Sequence, residues 1–146
     1  MLLVGGAGRR FGSSKALAQL AGESLAERAW RTLGDCCAER LAVGKAADRL
    51  PLPFAVLDDG YEVRAPIAGV VAGLRAARHE VVVVLPVDTP LVTADVLLRL
   101  AEACREAAVT QTGPLPGAYR RSVLPLLERR SPPASSRFAP RSPRSM

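Results

Sequence analysis

Apolar and polar positions divide the chain into short apolar runs separated by longer amphipathic stretches. Residues 1–4 are apolar and stop at Gly5-Gly6, the pattern of a buried strand end entering a glycine loop. Residues 41–43, 54–57 and 109–112 are further short strand candidates. Residues 81–85 are five consecutive branched apolar residues, which fits burial on both faces at the centre of a parallel sheet. Between these runs the period changes to that of a helix. Residues 24–33 place Leu25, Ala29 and Leu33 on one face with Trp30 beside them. Ser24 can cap that helix, and Glu27 completes an S-x-x-E capping box. Residues 66–78 predict a second helix, whose small residues (Ala68, Gly69, Ala72, Gly73, Ala76) suit close packing on a sheet. Thr93 can cap a third, running to about residue 107, and residues 121–130 predict a fourth.

Strands alternating with helices predict a parallel α/β sheet with right-handed crossovers. Ligands of such sheets bind outside the carboxyl ends of the strands. Three polar features fall at such ends: the loop 5–15, the pair Asp58-Asp59, and Asp88.

Composition bounds the class. A length of 146 residues fits one domain, and 49% hydrophobic residues suffice for a core. With 4% aromatics, that core is built from Val, Leu and Ala. No apolar run approaches the ~20 residues of a membrane helix. No charged lead, apolar stretch and cleavage site opens the chain, so a soluble, cytoplasmic protein is expected. The net charge of +6 is concentrated at one end. Five arginines and no acid lie from Arg129 onward, which leaves 15 basic and 14 acidic residues before it. Without a basic stripe carrying interleaved aromatics, a nucleic-acid partner is not expected. Residues 131–146, SPPASSRFAPRSPRSM, are Ser, Pro and Arg with few apolar positions. They are expected to be a disordered tail on a domain of residues 1–130, either a natural flexible end or the product of a frameshift. Arginine outnumbers lysine by 18 to 2, the mark of a GC-rich coding sequence. Cys36, Cys37 and Cys104 form no zinc-binding pattern and read as small buried hydrophobes. His79, at a helix end, reads as a surface residue.

The loop GGAGRRFGSSK (5–15) carries the first chemistry. Its glycines let backbone N–H groups turn toward an anion, and Arg9, Arg10 and Lys15 add positive charge. Such a loop suits a triphosphate or a departing pyrophosphate. It matches neither the Walker A order nor G-x-G-x-x-G, and a solvated basic loop has the same composition. In LPVDTP (85–90), Asp88 directly follows the apolar strand. A rigidly held carboxylate there suits Mg2+, which takes one or two carboxylates and substrate phosphates; a turn or cap role is the alternative. In DDGYEVRAPIAG (58–69), Asp58 can accept hydrogen bonds from a nucleobase edge or a ribose. By composition alone, an Asx turn is favoured there.

Together these motifs resemble those of the molybdenum cofactor guanylyltransferase family, within the wider class of sugar-nucleotide and molybdopterin nucleotidyltransferases. That family carries a loop of the form LAGGxSxRMGxxK, here LVGGAGRRFGSSK (3–15). Its GPLAG-like segment is here APIAG (65–69), and its C/V-D-T-P turn is here VDTP (87–90). Residues 114–128 are similar to the late region where such proteins place a strand and a helix. The double glycine and the pairing of PVDTP with APIAG favour the guanylyl branch; cytidylyl relatives more often show an AAG loop and a D-Q-P turn.

The resemblance implies a three-layer α/β/α, Rossmann-like nucleotidyltransferase fold with a mostly parallel sheet, its C-terminal part missing. It implies transfer of GMP from GTP to molybdopterin with release of pyrophosphate, giving the molybdopterin guanine dinucleotide cofactor. Molybdoenzymes or other cofactor-biosynthesis proteins are the implied protein partners. Carried over by position, Leu3, Val4, Gly5 and Gly6 line the nucleotide. Arg10 and Lys15 hold its phosphates, Asp58 contacts the nucleoside, and Asp88 binds Mg2+; Arg10, Lys15 and Asp88 are the catalytic set. The sequence departs from the pattern at Val4 (usually Ala), Phe11 (usually Met) and Ser14 (often Asp). It shows no base-reading Asn near Val43-Gly44, and the tail stands where a further strand, an Asn-containing segment and a closing helix are usual. A cytidylyl or sugar-phosphate transferase, and a nucleotide-binding domain without catalysis, remain open alternatives.

Overall fold

The computed structural model of the chain describes residues 1–5, 15–62 and 64–131. Six strands form one sheet: β1 (Leu2–Leu3), β4 (Ala42–Gly44), β5 (Leu57–Asp58), β6 (Val81–Pro86), β7 (Ala107–Thr110) and β8 (Gly113–Arg120). Their order is β5-β4-β1-β6-β8-β7. The first four are parallel, with Leu2 facing Ala42 on one side and Leu85 on the other. β8 runs antiparallel to β6, and β7 antiparallel to β8. The sheet is thus mostly parallel, and its chain order reverses beside β1.

Alternation along β1 sorts the core into two faces. Leu2 and Val4 point to the side of α1 (Leu25–Cys36) and α3 (Ala94–Ala103), where they join Leu33, Leu85 and Leu97. Met1 and Leu3 point to the side of α2 (Pro66–Ala76) and α4 (Leu124–Arg130), with Val70, Leu74, Val82 and Val84. Helices on both faces of the sheet make the three-layer arrangement. β6 is buried across Val82–Leu85, as a run of branched apolar residues requires at the centre of a sheet. Close approach of α2 depends on glycine: a Cβ on Gly69 would stand 2.8 Å from Leu3 Cδ2, and one on Gly73 would overlap the Met1 side chain.

Ser24 caps α1 as expected, accepting from the Glu27 N–H at 3.1 Å, and Thr93 caps α3. Ser24 also ends a small hairpin, β2 (Gln19–Leu20) with β3 (Glu23–Ser24). Its two turn residues, Ala21 and Gly22, both have positive φ, which matches the twist of a two-residue hairpin.

Several expected boundaries move, α1 running on to Cys36 and α2 stopping at Ala76. The strand expected at 54–57 is Leu57–Asp58, because Phe54 turns inward to stack on Trp30, with centroids 4.2 Å apart. The third helix stops at Ala103, since Ala107 and Ala108 pair with Tyr119 and Ala118 in the sheet. The strand expected at 109–112 is accordingly Ala107–Thr110. The last helix begins at Leu124 after a 3-10 turn, with Pro125 in its first turn where a missing N–H costs nothing. Gly6, Arg10, Phe11, Ser14 and the tail 132–146 lie outside the described residues. No helix of the described residues is long and apolar enough to cross a membrane.

Candidate functional site

The carboxyl ends of β1, β4 and β6 open into one cavity of about 450 Å3, closed on the side by the start of α2 and by Leu115 of β8. This is the place where the strand order reverses. The volume lies in the range of small-molecule and nucleotide sites. β1 contributes Leu3 and then Gly5; β4 contributes Val43, Gly44 and then Lys45. Gly44 is what lets these strand ends come together, since a Cβ there is too close while one on Gly5 would make an ordinary contact. A Cβ on Gly5 would stand 3.6 Å from Gly44 Cα, and one on Gly44 would stand 2.8 Å from Val4 Cγ2.

On the far side, β6 delivers Pro86, Val87, Asp88 and Thr89. The turn holding Asp88 is braced twice. Thr89 Oγ1 donates to the Pro86 carbonyl at 2.8 Å, and Arg28 Nε, from α1, donates to the Pro90 carbonyl at 3.1 Å. Asp88 itself is exposed at the cavity edge, and Lys15, also exposed, begins a 3-10 turn on the same cavity. Among the described residues, no three His, Cys, Asp or Glu side chains cluster in a way that could hold a metal ion. A single carboxylate at a strand end still fits Mg2+, which keeps waters and arrives bound to phosphates.

The expected residues therefore divide. Leu3, Gly5, Lys15 and Asp88 meet in the cavity. Val4 is buried in the core beneath it, 1% exposed, supporting the floor rather than lining it. Asp58 stays outside the cavity lining. Its carboxylate accepts from the Ala46 N–H at 2.9 Å and the Gly60 N–H at 3.0 Å, the Asx turn that its composition favours. The next residue takes the cavity position. Asp59 is 8% exposed and lines the cavity beside Lys45. Lys45 Nζ donates to Asp59 Oδ1 at 2.8 Å and also to the Tyr61 carbonyl, and the Tyr61 N–H donates to the same Oδ1 at 2.9 Å.

Lys45 and Asp59 are not among the site residues expected from the sequence, yet a signal for Lys45 existed. The chain has 18 arginines and two lysines, and both lysines line this cavity. Arg64, at the entry to α2, adds a further cation on the wall. Its guanidinium grips Asp48 through both terminal nitrogens, which raises its pKa above the ordinary arginine value.

A cavity at the carboxyl ends of parallel strands, with cations at Lys15, Lys45 and Arg64 and carboxylates at Asp59 and Asp88, can hold a polyanion at one end and a polar ring or sugar at the other. Comparison with known proteins agrees with that chemistry. Residues 1–140 match the family model described as the MobA-like NTP transferase domain. The chain is 40% identical over 144 residues to a molybdenum cofactor guanylyltransferase of Pseudomonas putida, covering 88% of this chain and 73% of that protein. It is 36% identical over 135 residues to a molybdenum cofactor guanylyltransferase of Burkholderia ambifaria, covering 86% of this chain and 66% of that one. Among solved structures, it is similar to the molybdopterin-guanine dinucleotide biosynthesis protein A of Archaeoglobus fulgidus, with a TM-score of 0.66 and 30% identity over 88% of this chain and 70% of the other. A nucleotidyl transferase from Methanothermobacter shares the fold at a TM-score of 0.71, with 20% identity over 87% of this chain and 73% of that one.

Proposed function

Because the chain belongs to the MobA-like NTP transferase family, and so to the nucleotidyltransferases, we propose that it transfers GMP from GTP to molybdopterin. Pyrophosphate is released and molybdopterin guanine dinucleotide is formed. The observation that carries this reading is the meeting of Lys15 and Asp88 on one cavity at the carboxyl ends of β1 and β6. The guanylyltransferase names of its relatives favour GTP over CTP and molybdopterin over a sugar phosphate as acceptor.

In this reading the terminal phosphate oxygen of molybdopterin attacks the α-phosphorus of GTP in line. A P–O bond forms to the acceptor, and the α–β bridging P–O bond breaks. No side chain reacts covalently; positioning and charge neutralisation carry the rate. Leu3 and Gly5 form the wall against which the nucleotide lies, and the absence of a Cβ at Gly5 lets its backbone approach. Lys15 donates to phosphate oxygens and offsets the charge that develops on pyrophosphate. Arg10 is proposed to share that task. Asp88, held by the Thr89 and Arg28 contacts, would bind Mg2+, which when bound supplies positive charge to the phosphates. Molybdoenzymes and other cofactor-biosynthesis proteins are the proposed protein partners, and the cytoplasm the proposed location.

The test is pyrophosphate release by the full chain with GTP, molybdopterin and Mg2+. Release is expected with GTP, and with CTP or UTP it should fall to a few per cent or less. Asp88→Ala should abolish turnover without lowering the melting temperature, since the side chain is exposed. Lys15→Ala should lose about a hundredfold in rate with little loss of stability, the scale of removing one charge-stabilising donor. Full transfer by Asp88→Ala, or equal use of CTP, would sink the proposal.

A further inference from the structure

At the amino ends of the strands, opposite the cavity that holds Lys15 and Asp88, a second cavity of about 310 Å3 opens between the ends of α1 and α2 and the first residues of β6. Ala77, Val81, Leu97 and Ala101 give it an apolar wall, and Cys36 and Cys37 line it beside them. Only Cys104 is the buried hydrophobe that the sequence suggests; Cys36 and Cys37 are half-buried. Cys36 ends α1, its thiol 3.5 Å from the Thr32 carbonyl oxygen, and Cys37 follows in an extended conformation as the cap. This exit from the helix brings the two Sγ atoms to 3.6 Å. A direct disulfide fits the pair poorly. Adjacent Cα atoms stand about 3.8 Å apart across a trans peptide, short of the roughly 4.4–6.8 Å that disulfides usually span. One atom shared between the sulfurs needs no such closure. Tetrahedral zinc would hold two sulfurs about 3.8 Å apart, but it asks for four ligands. Among the described residues, no three His, Cys, Asp or Glu side chains cluster to supply them. Trivalent arsenic that already carries one organic group asks for only two more ligands, and two sulfurs complete it.

We propose that Cys36 and Cys37 form a dithiol site for a trivalent arsenical bearing one organic group, with both sulfurs bonded to arsenic and the organic group lying in the apolar cavity. The site goes beyond the transferase reading and does not depend on it. The step balances without an oxidant or reductant. An oxoarsine, R–As=O, meets two thiols. Two As–S bonds form, the bond to oxygen is lost, and the two thiol protons leave with that oxygen as one water. Arsenic stays trivalent and both sulfurs stay reduced. The product carries no charge, so placing it against Val81 and Leu97 desolvates no ion. Ordinary thiol reagents suit the pair less well. Burial, helped by the neighbouring Cys37 thiol, pushes Cys36 up to about 12, so it stays a thiol at neutral pH, whereas alkylation and disulfide exchange require the thiolate. Condensation with the oxoarsine carries that proton away as water.

The probe is phenylarsine oxide, added in slight excess to the full chain at neutral pH and read by intact mass spectrometry. One adduct per chain is expected at the mass of the reagent less one water, the signature of two As–S bonds. No adduct, or an adduct at the full mass of the reagent, which marks a single As–S bond, overturns the proposal. Cys36→Ser and Cys37→Ser should each lose the bridged adduct, and Cys104→Ala should keep it. Serine at position 36 still offers a donor to the Thr32 carbonyl, so the end of α1 is spared. A bridged adduct that survives in either serine variant, or disappears in Cys104→Ala, places the arsenic on other thiols and overturns the assignment. Adjacent thiols also react in an unfolded chain, so the part played by the cavity is read from release. Half-release of the phenylarsenic group by 2,3-dimercaptopropanol should need at least about tenfold more dithiol from the folded chain than from the chain unfolded in urea, because the phenyl ring leaves water only in the folded cavity. Equal release from the two states would show that the fold builds no site around the pair, and the proposal would fall.

Discussion

Breaking the Lys45–Asp59 pair should cost stability, and the size of the loss follows from its burial. Removing Lys45 leaves a carboxylate 7% exposed without its cation, and leaves the Tyr61 carbonyl without its ammonium donor. Loss of one member of a buried pair costs about 3–5 kcal/mol. Because this pair lies on a cavity wall, water can reach the stranded group, and the lower end, about 3 kcal/mol, is expected for Lys45→Met. A domain has only about 5–15 kcal/mol in hand, so that single change should lower the melting temperature by roughly 6–12 °C. Replacing both members with apolar residues of similar volume, Lys45→Met with Asp59→Leu, removes the stranded charge. Such replacements are often neutral or stabilising. Urea unfolding at pH 7 of the parent, the two single variants and the double variant gives the coupling energy, expected at about 2 kcal/mol or more in favour of the pair. Effects that add to within about 0.5 kcal/mol, the scatter of independent sites, would show that the two charges do not sense one another, and the burial argument would be wrong.

Two further predictions rest on separate parts of the fold. A Cβ on Gly117 would stand 2.5 Å from the Pro114 carbonyl oxygen and 3.2 Å from that of Ala108, both backbone atoms that cannot step aside. Gly117→Ala should therefore destabilise by about 2 kcal/mol or more in urea unfolding; a loss under 0.5 kcal/mol would mean that β8 shifts freely at its start. Burial, helped by the neighbouring Cys37 thiol 3.6 Å away, pushes the Cys36 thiol up to about 12 from 9.0. The folded protein then holds this proton where the unfolded chain releases it. The associated stability is present below about pH 9 and is lost as pH rises toward 12. Iodoacetamide at pH 8.5 should label Cys36 far more slowly in the folded protein than in urea, as mass spectrometry of the peptide would read; equal rates would contradict the shift.

Where the chain uses local signals, its fold is legible. Ser24 and Glu27 announce the start of α1, and the branched run 81–85 announces the central strand, because capping and burial on both faces need residues that nothing else explains. β8 is less legible. Its sequence, GPLPGAYR, reads as a loop, since two prolines and two glycines oppose strand formation. The pairing with β6 runs only from Gly117 to Arg120, after both prolines, so the ladder never asks them for an N–H. Tertiary pairing overrides propensity there, and a resemblance to known sequences supplied the strand that periodicity could not.

The site shows the same division at the scale of one residue. Sequence places a carboxylate at the end of β5 but cannot say which of Asp58 and Asp59 faces the cavity. Neighbouring residues on an extended backbone point to opposite sides, and the choice depends on where the strand ends. Asp58 lies within β5 opposite Gly44, and its side chain turns back to the N–H groups of Ala46 and Gly60. Asp59 then falls on the cavity side, and its own N–H is taken by the Gly44 carbonyl at 2.9 Å. The first acid builds the turn, and the second, held by that turn, faces the cavity beside Lys45. A pair of adjacent acids at a strand end thus divides two duties that a single acid could not perform together. Asp58→Ala should accordingly loosen the turn and weaken GTP binding, as titration calorimetry would read; unchanged affinity would show that the turn does not hold the cavity wall.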